Sequence, residues 1–363
     1  MRRTSPAQML RAFTTTFGVL LALALLQSTA VAQSAEVCTT QSALSPADRN
    51  GIADAARRIG LAVQSNDAGT LRTVAAPELA KDFGALQYLV GTTAPKLTGD
   101  SPVVDQVYVL DATKLKPNPD GSATEAQFYC SLNRTQNEVE FDVPSLPAGR
   151  YAFAIVNLVP GSPSAATAWR ISFLLRQQPP PAGPWLLAGL YPRAVTAAGH
   201  DGLWYWTQAR QMIKDKQPWS AWLYYQLAQR LLTPADFVMT THLDKLRTEA
   251  TGAAPSALSE GVTADAPLVI KGASGIEYHF TVLSTEETIP NQPNAPAALD
   301  IAVHYPADPL PDQTAARQRN LAAAAALLVA HPELRKPFHG VAVYADQKGQ
   351  PTFSSEFSMA EIH

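Results

Sequence analysis

Residues 169–176 read Trp169-Arg170-Ile171-Ser172-Phe173-Leu174-Leu175-Arg176, and their alternation sets the fold class. On an extended chain Trp169, Ile171, Phe173 and Leu175 fall on one side, with Arg170, Ser172 and Arg176 on the other. This is the period-two pattern of a strand in a sheet with one buried side. Working outward, the same period predicts strands over Val103–Leu110, Thr124–Leu132, Glu138–Val143, Tyr151–Val159 and Trp185–Tyr191. Turn chemistry separates them: Asn118-Pro119-Asp120-Gly121, Pro147-Ala148-Gly149, and a proline-rich stretch at 178–184 that serves as a stiff hairpin loop. The chain is therefore read as α+β, with helices flanking a curved antiparallel sheet.

Ahead of the strands the period is helical. Ser45-Pro46-Ala47-Asp48 supplies a capping hydroxyl, a proline at the first helical position and an acid at the third, and Ile52, Ala55, Ala56, Ile59 and Val63 then recur at helical spacing. Asn66-Asp67-Ala68-Gly69 breaks the run before a second short helix carrying Leu71, Val74, Ala75 and Leu79. Helices followed by a meander that closes on the 169–192 hairpin resemble the NTF2-like (SnoaL-like) α+β cone over residues 44–192. That resemblance implies a hollow able to hold a ligand, a catalytic acid or base, or nothing, so fold alone does not decide function. A helix-preceded β-sandwich stays open beside it, because the string from Val143 to Tyr151 (VPSLPAGRY) resembles the turn-and-strand of immunoglobulin-like bacterial modules.

Residues 200–249 turn helical again, with helices at Trp204–Lys214, Trp219–Leu232 and Phe237–Glu249. Aligned on Ala209, the residues Ala221, Tyr225 and Ala228 resemble the small and aromatic positions of one tetratricopeptide (TPR) unit, with Pro234 one place past its closing proline. One unit instead of an array implies a structural bridge more than a peptide groove. Residues 250–266 are small, polar and aperiodic, a linker by composition. Residues 267–363 form a further α+β domain in the order β-β-β-α-β-β: strands at Leu268–Lys271, Ile276–Ser284 and Leu299–Tyr305, a helix at Gln313–Ala330, then strands at Gly340–Ala345 and Thr352–Glu361.

The N-terminus points to export. Arg2, Arg3 and Arg11 precede an apolar run from Phe17 to Leu26, and Ala30-Val31-Ala32 ends in small residues at −3 and −1, which makes residues 1–32 an expected signal peptide. A membrane anchor would need about 20 apolar residues, roughly twice this run. The expected product is a soluble periplasmic or extracellular protein. It is three charges more acidic than the formal −3 of the whole chain, which argues against a nucleic-acid or anionic-lipid surface. In an oxidising compartment the two cysteines, Cys38 and Cys130, are expected to form a disulfide. Closing a loop of about 90 residues contributes up to roughly 4–5 kcal/mol on the chain-entropy model.

Chemistry is sparse. The seven histidines show no metal-ligand spacing, and there is no nucleophile elbow, phosphate loop, dinucleotide glycine pattern or calcium loop. His279 and His304 are outward strand positions that could meet only through folding, and His200-Asp201 is more simply a helix cap than a general base. No catalytic, cofactor-binding or metal-ligating residue is assigned. The aromatic set Trp204, Trp206, Trp219, Trp222 and Tyr225 is a candidate interaction surface, although helical spacing favours a core role. The expected function is a non-catalytic exported binding or interaction protein with an unidentified protein partner or small ligand. The rivals are an envelope enzyme with a buried acid such as Asp105 or Glu125 inside the cone, and a structural scaffold.

Overall fold

The strand that set the fold class is covered on both faces. In the computed structural model, which describes residues 36–97, 102–131, 138–158, 168–179, 183–273, 275–288 and 297–363, Trp169–Gln177 forms strand β6 of a strongly curled eight-stranded sheet. Ile171, Phe173 and Leu175 are fully buried, yet so is Ser172 on the opposite side, with Leu174 at 5% exposure. The expectation of one solvated face is thus corrected. The expected leader, residues 1–32, lies outside the described residues, as do Leu132, Val159 and residues 180–182.

Other members of the sheet are β1 (Glu36–Thr40), β2 (Val103–Ala112), β3 (Thr124–Cys130), β4 (Val139–Leu146), β5 (Gly149–Leu158), β7 (Trp185–Ala194) and β10 (Val238–Thr240), in the order β10-β4-β3-β1-β2-β5-β6-β7. Two differ from the expected meander. Strand β1 wedges between β2 and β3, antiparallel to the first and parallel to the second. This seats Cys38 beside Cys130, and the two form the disulfide with Cα atoms 5.3 Å apart. At the far edge β10 pairs with β4, where the expected helix Phe237–Glu249 would have begun. The helix starts later, at Thr241, because Thr240 accepts from a first-turn amide, that of Leu243 at 3.1 Å.

One face of this sheet carries α1 (Pro46–Gln64), α2 (Ala68–Val74), α3 (Pro77–Lys81) and α4 (Phe83–Thr93). Ser45 caps α1 through the Asp48 amide, and the expected stripe Ile52, Ala55, Ala56, Ile59 and Val63 is buried against the sheet. Asp48 is then free to clamp Arg150 of β5 with two bonds of 2.9 and 3.0 Å.

A small hairpin, β8 (Thr196–Ala197) and β9 (His200–Asp201), turns at Ala198 and Gly199, both at positive φ as a two-residue turn requires. Helices α5 (Gly202–Lys214), α6 (Pro218–Leu232) and α7 (Thr241–Ala253) follow, and share one core with the C-terminal part. Ala250 and Leu258, inside the expected linker, are buried in that core.

The C-terminal part has one strand more than expected. After β11 (Leu268–Lys271), the stretch Ile276–Ser284 divides into β12 (Glu277–Phe280) and β13 (Val282–Thr288). The inward set changes parity at Thr281: Tyr278 and Phe280 are buried, then Leu283 and Thr285, which leaves Ile276 and Val282 exposed. Strands β13, β14 (Ala298–Pro306), β15 (Gly340–Asp346) and β16 (Phe353–Ser358) form a sheet in that order, with β14 and β15 parallel across α8 (Gln313–Ala330). Fully buried Asn320 ties α8 down. It accepts from the Tyr305 hydroxyl at 2.8 Å and faces the Val343 and Phe353 carbonyls and Ser355 Oγ at 3.2–3.3 Å.

Candidate binding hollow at the seam of sheet and helices

The face of the sheet turned away from α1–α4 is filled by aromatic rings. Tyr108, Phe141, Phe153, Phe237 and Tyr191 form an edge-to-face chain with centroids 5.0–5.6 Å apart. Phe141 on β4 reaches Phe153 on β5 although three strands lie between them in the sheet, so the contact exists only because the sheet curls. Beyond Tyr108 and Phe153 the fill stops, and a hollow of about 300 Å³ opens between the sheet, α5, the end of α6, and β10 with α7. Its walls are mostly apolar, including Phe153, Ile155, Leu203, Trp206 and Leu243; its polar groups are Asp105, Gln106, Tyr108, Arg170, Thr240 and His242.

Arg170 is the unusual member. The alternation of β6 aims it at this side, opposite Arg193 of β7. Arg193 is held by Asp236 at 2.7 Å, so that carboxylate is committed elsewhere. Arg170 Nη2 donates to the Leu231 carbonyl in the last turn of α6 at 3.1 Å, whereas its buried Nε has no hydrogen-bond partner among the described residues. Burial, with repulsion from Arg193, brings its pKa down to about 10, against the pull of Asp105. Two residues along the same strand face, the Ser172 hydroxyl is also buried without a partner. A buried donor left unmade costs on the order of 1–3 kcal/mol. The Tyr108 hydroxyl is pushed up to about 12 by burial and by the charges of Asp105 and Glu138.

No family model, curated protein or solved structure matches this chain. The reading of the site therefore rests on its own geometry.

Of the two acids singled out from the sequence, Asp105 lines the hollow, but at its exposed rim. It is the extra residue of a bulge in β2. Glu125 is exposed elsewhere, its pKa raised by its contact with Asp142. Neither is a buried acid inside a cone. Among the aromatic set, Trp206, Trp219, Trp222 and Tyr225 are all under 10% exposed and belong to the core shared with the C-terminal part. Helical spacing explains them, and they form no exposed surface. Trp204 is half-buried and stacked on His200 at 3.7 Å. Only Trp206 borders the hollow, its indole N–H held by Glu249 at 2.8 Å. Asp201 caps α5 by accepting from the Trp204 amide at 2.8 Å.

His279 and His304 do not meet: His279 lies opposite Val269, and His304 stacks on Tyr344 with its Nδ1 3.2 Å from Asp346. Besides Glu125 and Asp142, the carboxylates Glu286 and Asp300 are cross-strand neighbours, on the outer face of the C-terminal sheet. Asp300 accepts from Thr288 and lies 3.3 Å from His339, and Glu286 accepts from the Tyr344 hydroxyl. Burial raises the Glu286 pKa. Among the described residues no group of three or more His, Cys, Asp or Glu is placed to hold a metal ion, and no helix is long and apolar enough to cross a membrane.

Proposed function

We propose that this chain is an exported binding protein of the cell envelope that takes a small ligand into the hollow beside Arg170. The single observation that carries the reading is the Arg170 guanidinium, which lines a mostly apolar recess and has no carboxylate partner within hydrogen-bond distance among the described residues. Recesses of this size with a few convergent polar groups are the usual form of small-molecule sites. Neither inner group exchanges protons readily near neutrality, since Arg170 and Tyr108 titrate near 10 and 12. They are suited to recognition. The signal-like N-terminus and the Cys38–Cys130 disulfide support the exported half of the proposal. In this reading the TPR-like hairpin forms one wall of the hollow. Kinship of residues 44–192 with NTF2-like cones also belongs to the proposal, supported by helices packed on a curled sheet.

One observation favours a catalytic alternative: Asp105 and His242 both line the mouth of the hollow, where a carboxylate and an imidazole could serve as acid and base. Native mass spectrometry of the protein isolated from envelope fractions tests the main reading. A bound small organic molecule is expected, and it should be lost from Leu203→Trp, a change at an exposed position on the rim. Bare chain masses in both proteins contradict ligand binding. Turnover of the co-purified compound that disappears in Asp105→Asn establishes the enzyme instead.

A further inference from the structure

We infer that the ligand is a small organic anion with an apolar body, a medium-chain or single-ring carboxylate, whose acidic head lies against Arg170. This rests on the binding reading above and adds the charge and shape of the molecule. Charge comes first. Among the described residues Arg170 makes no ion pair, and its cross-strand neighbour Arg193 is paired with Asp236, so that carboxylate is not shared with Arg170. Asp105 acts on Arg170 only through space, from an exposed position at the rim. Arg170 therefore makes its part of the hollow cationic, which disfavours a cation there. A neutral ligand would leave the partly desolvated Arg170 charge uncompensated.

A carboxylate compensates it. It accepts from guanidinium N–H groups in the geometry that planar fork prefers, and charge-assisted bonds of this kind are about twice as strong as neutral ones. The remaining walls then set the body. Phe153, Ile155, Trp206 and Leu243 offer apolar surface, and about 300 Å³ equals the liquid volume of roughly ten water molecules. That is room for one short chain or one ring.

The test is isothermal titration calorimetry on the disulfide-intact chain with octanoate, octanol and octylamine as probes. Octanoate is expected to bind about 10- to 100-fold more tightly than octanol, and octylamine more weakly than either. In Arg170→Met, the preference for octanoate over octanol should disappear while octanol still binds, which shows that the hollow persists. Arg170→Lys should keep part of the preference for the anion. Equal affinity of wild type for octanoate and octanol, or tighter binding of octylamine, overturns the anion assignment and leaves the hollow as a binding site. Binding of none of the three also overturns it, and the co-purification result then judges the hollow separately.

Discussion

Each sheet has a polar side chain at an enclosed face, fully buried Asn320 in one case and half-buried Arg170 in the other, and the two are treated in opposite ways. In the C-terminal sheet Asn320 is fully buried, and both its oxygen and its nitrogen are engaged, with Tyr305, the Val343 and Phe353 carbonyls and Ser355. In the N-terminal sheet Arg170 spends one nitrogen on the Leu231 carbonyl and leaves Nε unpaired, with Ser172 unpaired next to it on the same face. A satisfied buried network rigidifies a fold, while unsatisfied groups cost stability unless they serve something else. The comparison assigns Asn320 to architecture and Arg170 to binding. Stability of the N-terminal sheet then has to come from other sources, namely the disulfide, the aromatic fill and the helix clamps.

Four variants sharpen or break that contrast, each measured by chemical denaturation. The largest effect is expected from Cys38→Ser with Cys130→Ser, a loss of about 2–5 kcal/mol, because the cross-link holds β1 between β2 and β3. An unchanged midpoint would mean that the wedge is held by its ladder alone. Asn320→Ala should cost about 3 kcal/mol, since it strands the buried Tyr305 hydroxyl. A change under about 0.5 kcal/mol, the range of an inert surface site, would remove the architectural half of the comparison.

Asp48→Asn should cost about 1 kcal/mol at neutral pH, as befits a partly buried two-bond pair with Arg150. Here the sign of the pH dependence can be worked out. The Arg150 hydrogen bond holds the Asp48 pKa below its ordinary 3.8. Its contribution is complete above that value and fades as pH falls through the lower folded-state pKa. The wild-type advantage over Asp48→Asn should therefore vanish in acid; an advantage that persists there contradicts the assignment. The smallest effect belongs to Arg170→Met, expected within about 1 kcal/mol of wild type and on the stabilising side. It removes a desolvated cation facing Arg193, and well-packed replacements of buried charges are often neutral or stabilising. A large loss would make Arg170 a structural residue like Asn320.

Much of the fold was legible in the sequence where local chemistry and burial agree. The Ser45 cap, the apolar stripe of α1, the alternation of β6 and the aromatic hairpin α5–α6 all follow from residues close together in the chain. What escaped depends on distant partners. Strand β1 is five residues long and is defined by the gap it fills. Pro234-Ala235-Asp236 reads as a helix start, yet Asp236 is drawn to Arg193 and Val238 to β4. The parity change at Thr281 is invisible in a run that alternates without interruption.

The site was half legible for the same reason. Alternation shows that Arg170 and Ser172 share a face, and such a face is ordinarily solvated. Only the curl of the sheet and the approach of α5 and α6 enclose it. Asp105 was picked as a candidate and does line the hollow, but the bulge in β2 leaves it at the rim.

The most direct measurement is the Nε–H signal of Arg170 in ¹⁵N NMR spectra of the disulfide-intact chain, assigned through Arg170→Lys, as octanoate is added. The account predicts that this signal shifts with saturation as the charge of its guanidinium is compensated, while the signal of Arg193, whose Nη2 is already held by Asp236, moves little. A stationary Arg170 signal at concentrations where other resonances saturate would contradict it.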